Sequence, residues 1–166
     1  MSIESMPVSE IMTRDVKTAD ESTSIRLVAR KMDKNGIGSI VILDKEGVPS
    51  GIITERDMVK LVSRTGVSFG LPVKRVMKKP VIVADIMMSA RDALQTMQVK
   101  DIRRLPVMEK GKLVGIVTDK DIFKAILKNQ SLLTGIISDS VLVEYKPVYD
   151  RLAEFMLSEM YLPGGR

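Results

Sequence analysis

The sequence predicts a mixed α/β fold of the α+β type, built from two copies of one β-α-β-β-α unit. The main observation is an internal repeat: Pro-Val-Ser-Glu-Ile-Met at residues 7–12 returns as Pro-Val-Lys-Arg-Val-Met at residues 72–77, about 65 positions later. In the same order, Gly-Ile-Ile-Thr at residues 51–54 returns as Gly-Ile-Val-Thr at residues 115–118. Within each copy, apolar runs of strand length alternate with apolar residues at helical spacing.

The first half of the first copy reads as a strand followed by a helix. A short strand at Val16–Thr18 precedes a helix that begins at Ser22 or Ser24, because a serine hydroxyl accepts hydrogen bonds from the amides of a first helical turn. Gly36 suits the left-handed residue that ends such a helix. One face of the helix is apolar and is expected to be buried: Ile25, Val28 and Met32.

The second half of the first copy reads as a hairpin followed by another helix. Ile40–Leu43 is an apolar run of strand length, Asp44–Gly47 has the composition of a turn, and Val48–Thr54 is the next strand. Thr54 or Glu55 then opens the second helix. Three apolar residues of this helix are predicted to face inward: Met58, Val59 and Val62.

The second copy repeats these elements. Its strands are predicted at Leu105–Met108 and Leu113–Thr118, and its second helix at about Asp119–Leu127. Its first helix presents an apolar face formed by Ala90, Ala93, Leu94 and Met97. Because a unit of this size buries little surface alone, the two copies are expected to pack sheet against sheet.

The predicted domains follow the repeat. Residues 1–66 form the first domain, 67–71 the linker, 72–130 the second domain, and 131–166 an extension without a counterpart in the repeat. Val148–Tyr161 of this extension has the pattern of an amphipathic helix. Its apolar face would be formed by Leu152, Phe155, Met156 and Met160.

The composition excludes several kinds of chemistry. The chain has neither cysteine nor histidine, which rules out disulfides, thiolate nucleophiles, Ser-His triads and zinc sites built from those residues. No apolar run reaches the ~18 residues of a membrane span, and residues 1–7 do not resemble a signal peptide. A cytoplasmic protein without a membrane partner is therefore expected.

Each Gly-apolar-apolar-Thr segment is followed, three residues after the threonine, by an aspartate. Thr54 with Asp57, and Thr118 with Asp121, would thus face the same way on the first turn of a helix. An ionised aspartate there is an acceptor able to take both hydroxyls of a ribose, while the threonine and the helix start can face a phosphate. The alternative is that both pairs only cap their helices.

The paired segments Gly-Ile-Ile-Thr-Glu-Arg-Asp (51–57) and Gly-Ile-Val-Thr-Asp-Lys-Asp (115–121) resemble the nucleotide-contacting segment of CBS domains. The leading Pro-Val-x-x-apolar-Met segments and Ile-Arg-Arg-Leu-Pro-Val at residues 102–107 fit the same family. The resemblance covers residues 7–130 and is closest to a stand-alone prokaryotic tandem pair, or Bateman module. It implies a regulatory module without catalysis, which requires no cofactor and binds an adenine nucleotide of the AMP, ADP or ATP class as an energy or metabolite sensor.

The resemblance also implies that the two copies pack with pseudo-twofold symmetry and form two clefts, each built from both copies. The first cleft would hold Thr54, Asp57, Lys78, Pro80, Val81, Ile102, Arg103 and Arg104. The second would hold Thr118, Asp121, Thr13, Val16, Lys17, Thr18, Ile37, Gly38 and Ser39. Because arginine forks match phosphate oxygens, Arg103 and Arg104 should give the Asp57 cleft the more phosphorylated ligand.

Two other functions stay open at this point. A structural dimerisation module with vestigial clefts fits the same repeat, and a nucleic-acid-binding protein fits the net charge of +5. Aromatic residues make up only 4% of the chain, which argues against nucleic acid because stacking platforms are then scarce. The expected partners are a small-molecule nucleotide, a second copy in a homodimer, and an unknown effector protein that would dock on the C-terminal extension.

Overall fold

Two β-α-β-β-α repeats are present, as predicted. The structure is a computed structural model that describes residues 3, 5–64, 66–128, 153, 154 and 157. The elements are β1 (Thr18–Asp20), α1 (Ile25–Asn35), β2 (Ser39–Leu43), β3 (Pro49–Thr54), α2 (Glu55–Val62), β4 (Ala84–Asp85), α3 (Ala90–Val99), β5 (Arg104–Glu109), β6 (Lys112–Thr118) and α4 (Asp119–Lys128). The strands form two sheets, in the orders β1-β2-β3 and β4-β5-β6.

The chain divides into two compact units that do not coincide with the sequence repeats. Unit 1 comprises the described residues of Met1–Thr13, Ala84–Val107 and Ile116–Arg166. Unit 2 comprises the described residues of Arg14–Val83 and Met108–Gly115. Each unit therefore combines most of one repeat with the N-terminal segment of the other.

Helix α1 has the limits and the buried face that its sequence indicates. The Ser24 hydroxyl accepts from the Leu27 amide at 3.3 Å, so Ser24 rather than Ser22 is the N-cap. Gly36 ends the helix with φ of 59°, a conformation that glycine adopts without steric cost. Ile25, Val28 and Met32 are buried, as predicted.

Strand β1 begins two residues later than its sequence indicates. It pairs in parallel with β2 from Thr18, opposite Val41, to Asp20, opposite Leu43. The extent of such a short strand depends on its partner, so the apolar Val16 is a poor marker of where it begins. β2 then pairs antiparallel with β3, and this register places Ser39 opposite Thr54.

The predicted inward face of α2 is wrong at two positions. Val59 and Val62 are 69% and 71% exposed, whereas Asp57 and Leu61 are buried and Met58 packs partly against the core. The capping interaction between Thr54 and Asp57 sets the rotation of the helix. At about 100° per residue, positions 57, 58 and 61 then share the inner face, and positions 59 and 62 turn away from it.

The Pro-Val-x-x-apolar-Met segments at residues 7–12 and 72–77, here called the leading segments, each lie beside a helix of the other repeat. In unit 2, Pro72 forms a bridge with Ser24, and the Val73 amide donates to the Thr23 carbonyl at 2.8 Å. Val73 and Met77 join the buried core around Ile25, Ile40 and Ile53. The second repeat thereby completes the hydrophobic core of the first.

Unit 1 repeats this arrangement with the other leading segment. Pro7 forms a bridge with Ser89, and the Val8 amide donates to the Met88 carbonyl at 2.8 Å. Val8 is fully buried, and α4 packs against α3. The predicted inner face of α3 is confirmed, since its four members are buried: Ala90, Ala93, Leu94 and Met97.

The predicted helix at Val148–Tyr161 falls almost entirely outside the described residues. Ala153, Glu154 and Leu157 are helical. The residues of its predicted apolar face lie outside the part that the structure describes: Leu152, Phe155, Met156 and Met160.

The end of the leading segment of unit 2 runs antiparallel to β3, next to a glycine of that strand. Lys78, directly after the segment, exchanges two backbone hydrogen bonds with Ile52, at 2.9 and 3.1 Å. A Cβ atom on the neighbouring Gly51 would lie 2.4 Å from Sδ and 2.7 Å from Cγ of Met77. The absence of a side chain at Gly51 is therefore what lets Met77 reach the core.

We expect Gly51→Ala to lower the free energy of unfolding by ~1–3 kcal/mol, the usual cost of overpacking a core. Gly70→Ala is the matched control, because a Cβ there would meet only Ser68 Oγ, at an ordinary 3.6 Å. Urea unfolding of both variants measures the difference. Adding Met77→Ala should recover part of the loss, and a strictly additive double variant would contradict the proposed contact.

Candidate functional site

The first candidate site lies where β3 ends and α2 begins. The Thr54 hydroxyl accepts from the Asp57 amide at 3.3 Å, and Asp57 Oδ2 accepts from the Thr54 amide at 3.0 Å. The same oxygen also accepts the Thr54 hydroxyl hydrogen at 2.6 Å. This reciprocal capping box orders both side chains at the start of the helix. The capping role is thus present, and it leaves Asp57 Oδ1 outside the box.

Lys78 supplies a cation to that second carboxylate oxygen. Its Nζ lies 3.3 Å from Asp57 Oδ1. The lysine side chain is 58% exposed, whereas the Asp57 side chain is only 9% exposed. The backbone of Lys78 is held against β3 by its two bonds to Ile52, so the ammonium group is carried on an ordered segment.

These contacts change the acidity of Asp57. Burial disfavours the charged form and by itself raises the pKa of Asp57. The hydrogen bonds from the Thr54 side chain and backbone, followed by the bond and charge of Lys78, outweigh burial and hold the pKa below its ordinary value of 3.8. Asp57 is therefore an ionised acceptor at neutral pH.

The second candidate site has the same capping geometry between β6 and α4. The Thr118 hydroxyl accepts from the Asp121 amide at 3.2 Å. Asp121 Oδ2 accepts from the Thr118 amide at 2.9 Å and from the Thr118 hydroxyl at 2.6 Å. Thr13 occupies the repeat position of Lys78, and it exchanges two backbone bonds of 2.9 Å with Ile116. The backbones correspond, but the side chain at this position is a neutral threonine in unit 1 and a charged lysine in unit 2.

The residues that begin β2 and β5 also lie beside the junctions. The Gly38 carbonyl accepts from the Glu55 amide at 3.1 Å, and the Arg103 carbonyl accepts from the Asp119 amide at 3.1 Å. Arg103 Nε is in addition 4.0 Å from Asp119 Oδ2, a carboxylate that is 12% exposed. Each helix start is thus tied to the beginning of the middle strand of its own repeat.

The structure brings the candidate residues together in two groups. Unit 2 gathers Gly38, Ser39, Thr54, Asp57 and Lys78, and unit 1 gathers Thr13, Arg103, Arg104, Thr118 and Asp121. From the sequence, Gly38 and Ser39 were assigned to the Asp121 cleft, and Arg103 and Arg104 to the Asp57 cleft. Those assignments join residues of different units and stay predictions.

Other candidates occupy places that their own contacts explain. Lys17 pairs with Asp15 at 2.6 Å, and the Thr18 carbonyl accepts from Lys31 Nζ at 2.6 Å. Ile37 and Ile102 follow α1 and α3, and their amides bond back to the helices at 3.0 and 2.9 Å. The remaining three, Val16, Pro80 and Val81, lie in irregular segments of unit 2. Among the described residues of this unit, no hydrogen bond or ion pair links those three to Thr54 or Asp57.

Two polar contacts were missed from the sequence. The Lys78–Asp57 pair was not foreseen, although both residues were candidates, and Asp119 was not singled out at all. The repeat contained a usable signal, because lysine at position 78 stands against threonine at position 13. Such a difference at equivalent places beside a carboxylate indicates unequal sites.

The described residues contain neither a cluster suited to a metal ion nor a helix suited to span a membrane. No group of three or more acidic residues within the described part is arranged to hold a metal ion. No helix in that part has the length and apolar character to cross a membrane. The two capped junctions therefore remain the candidate sites.

Comparison with known proteins matches both repeats to one family. A family model described as "CBS domain" matches residues 8–64 and again residues 73–128. An uncharacterized protein of Methanocaldococcus jannaschii is 35% identical in an alignment of 174 positions that covers 96% of this chain and 41% of that protein. An uncharacterized protein of Methanopyrus kandleri is 41% identical over 122 residues, which is 72% of this chain and 62% of that protein. The chain thus spans roughly half the length of these two relatives.

Solved structures share the fold. The CBS domain pair of protein MJ0100, in complex with 5′-methylthioadenosine and S-adenosyl-L-methionine, matches with a TM-score of 0.68 at 27% identity. The match covers 74% of this chain and 97% of that one. A CBS-domain containing protein of Agrobacterium tumefaciens matches with a TM-score of 0.67 at 33% identity, over 73% of this chain and 93% of that one.

The acidity of Asp57 gives a test of the first junction. Since the folded-state pKa is depressed, the ionised carboxylate stabilises the fold above pH 3.8, and this contribution is lost as the pH falls through the lower, folded-state pKa. Asp57→Asn should therefore lower the free energy of unfolding at about pH 7, and by a smaller amount at about pH 3. Urea unfolding of both proteins at the two pH values measures this. An equal loss at both would show that ionisation of Asp57 contributes nothing.

Proposed function

The chain belongs to the CBS-domain family, and on that basis we propose that it is a non-catalytic regulatory module that binds an adenine nucleotide at its two strand-to-helix junctions. The ligand acts as a signal of energy or metabolite supply and is not a required cofactor. The prediction of a cytoplasmic homodimer, with an unknown effector protein at the C-terminal extension, is part of this proposal.

The observation that carries the proposal is the paired junction. Thr54–Asp57 and Thr118–Asp121 have the same bonds, with one carboxylate oxygen of each aspartate taken up by capping. The other oxygen, Oδ1, is outside the capping box at both junctions. Vicinal hydroxyls of a ribose are donors that match such an ionised acceptor. Capping occupies Oδ2 of each aspartate, and Oδ1 is proposed to bind the ligand.

The helix starts suit the phosphate end of the same ligand. The helix dipole adds partial positive charge at each helix start, and this attraction does not depend on the amides of Glu55, Asp57, Asp119 and Asp121, which donate within the protein. Around α2 this field is reinforced by Lys78, whose side chain is 58% exposed and whose Nζ lies 3.3 Å from Asp57 Oδ1. A molecule with a diol at one end and a phosphate near it therefore complements the junction.

The known complex of a relative supports the adenosine part of the ligand. The MJ0100 domain pair, 27% identical to this chain, was solved with 5′-methylthioadenosine and S-adenosyl-L-methionine. Both molecules contain an adenine base and a ribose, the parts that the proposed junctions would bind. The phosphate groups are proposed to bind to this chain's own cations: Lys78, Arg103 and Arg104.

A structural dimerisation module is the second candidate, and one observation favours it. The capping boxes satisfy the threonine hydroxyls and one oxygen of each aspartate without any ligand. A module whose junctions serve only as helix caps would keep the same Thr-x-x-Asp pattern. The two functions differ in whether nucleotides stabilise the folded chain.

Adenine nucleotide should raise the melting temperature of the protein. A ligand that binds only the folded state adds ~2.7 kcal/mol at ~100 times its dissociation constant. Thermal melting should be recorded with AMP, ADP, ATP, NAD, S-adenosylmethionine and GTP. A shift with an adenine ligand and none with GTP supports the proposal. If no ligand of the panel shifts melting or produces heat in calorimetry at millimolar concentration, the dimerisation module is the better description.

Asp57→Ala and Asp121→Ala should each remove one binding site. Loss of a charge-assisted hydrogen bond costs ~1.5–3 kcal/mol, which is roughly a ten- to hundredfold loss of affinity. Calorimetry should show one site in each single variant and none in the double variant. Asp33→Ala, an exposed residue of α1, is the control. If the variants keep full affinity at both sites and show only a lower melting temperature, the two aspartates are helix caps and do not bind the ligand.

A further inference from the structure

The two junctions differ in a way that neither capping nor the shared motif explains. Lys78 and Thr13 occupy equivalent repeat positions, and each is fixed by two backbone bonds to the neighbouring strand. The lysine places a positive charge on the capping aspartate itself, with Nζ 3.3 Å from Asp57 Oδ1. At the junction of unit 1, the ion pair of Arg103 is with Asp119, at 4.0 Å, and not with the capping aspartate.

The two aspartates differ in the number of acceptor positions that they can offer to a ligand. A carboxylate offers roughly four lone-pair positions, two on each oxygen. At both junctions Oδ2 already accepts two hydrogen bonds from its threonine. Asp121 Oδ1 then keeps two positions, as many as a ribose diol needs. Asp57 Oδ1 keeps only one while Lys78 remains bound to it.

A diol can therefore bind Asp57 through both hydroxyls only if the ammonium group moves away. Asp57 is 9% exposed, so the carboxylate would exchange a charged partner for neutral hydroxyls in a poorly hydrated place. The released ammonium, on a side chain that is 58% exposed, is free to turn toward a phosphate on the same ligand. A phosphate restores the ion pair that the diol has displaced, and a neutral nucleoside cannot.

We propose that Lys78 determines the ligand specificity of the Asp57 junction, acting as a counterion that is exchanged from Asp57 to the phosphate when a nucleotide binds. The Asp57 junction then selects nucleotides over nucleosides. The Asp121 junction, with Thr13 in the equivalent place, accepts a neutral nucleoside directly. This inference rests on the proposed function, because it assigns different ligands to the two proposed sites.

The test measures each site separately with adenosine and AMP as probes. Asp121→Ala isolates the Asp57 site, and Asp57→Ala isolates the Asp121 site. Lys78→Thr is introduced into the first background and Thr13→Lys into the second, so that each site receives the residue of the other. Lys74→Thr is the control in the first background, since it removes one exposed lysine from the same leading segment. Lys78→Arg preserves the charge.

The quantity to compare is the ratio of the adenosine to the AMP dissociation constant, from calorimetry. The Asp57 site should prefer AMP by roughly tenfold or more, the scale of one charge-assisted bond. Lys78→Thr should lower this ratio to about threefold or less, both by tightening adenosine and by weakening AMP. Lys78→Arg and Lys74→Thr should retain the preference, and Thr13→Lys should create one at the Asp121 site.

The outcomes separate this inference from the proposed function. Binding of both probes with a ratio that Lys78→Thr leaves unchanged, or with adenosine no tighter in that variant, overturns the role of Lys78 and leaves the nucleotide module standing. If Lys74→Thr lowers the ratio of dissociation constants as much as Lys78→Thr does, net charge explains the effect, and the role of Lys78 is again overturned. Absence of binding in every background overturns the proposed function and the inference with it.

Discussion

The fold depends on the exchange of the two leading segments. Val73 and Met77 arrive from the second repeat and are buried among core residues of the first, and Val8 is buried in the unit that contains α3 and α4. Gly51 allows the close approach of Met77, and the backbone hydrogen bonds between Ile52 and Lys78 hold the end of the segment against β3. A repeat cut out at the linker would lose part of its own core, so the tandem pair is the smallest unit that can bury its apolar surface.

Periodicity and capping residues predict most of this fold, but not the exchange. The inner faces of α1 and α3 follow from apolar spacing, because each helix has one sharply defined stripe. Helix α2 has apolar residues on two sides, so apolar spacing alone does not decide which side is buried; the buried side carries the capping aspartate Asp57. The repeat reveals that a Pro-Val segment precedes each copy. It says nothing about which copy that segment packs on, since spacing along the chain carries no information about the partner.

The candidate site is likewise only partly predictable from the sequence. The Thr-x-x-Asp pairs are predictable because both members lie on one helical turn, where sequence distance fixes geometry. The contacts of Lys78 with Asp57 and of Arg103 with Asp119 join segments far apart in sequence, so they depend on the tertiary fold. These cations make the two junctions chemically unequal although the motif repeats almost unchanged. A duplicated site can thus acquire two specificities through residues outside the motif itself.

The segment exchange also has a consequence during synthesis. The core of unit 2 draws on residues between Ile25 and Met77, so it can close as soon as the second leading segment has left the ribosome. Unit 1 needs Val8 together with α3 and α4, which are made after the core residues of unit 2. Its first segment must wait, on the order of ten seconds at ordinary rates of translation, with its apolar residues unburied. Folding during synthesis therefore begins with unit 2. The growing chain is most exposed to misassembly while the first leading segment still lacks α3, the helix beside which it lies.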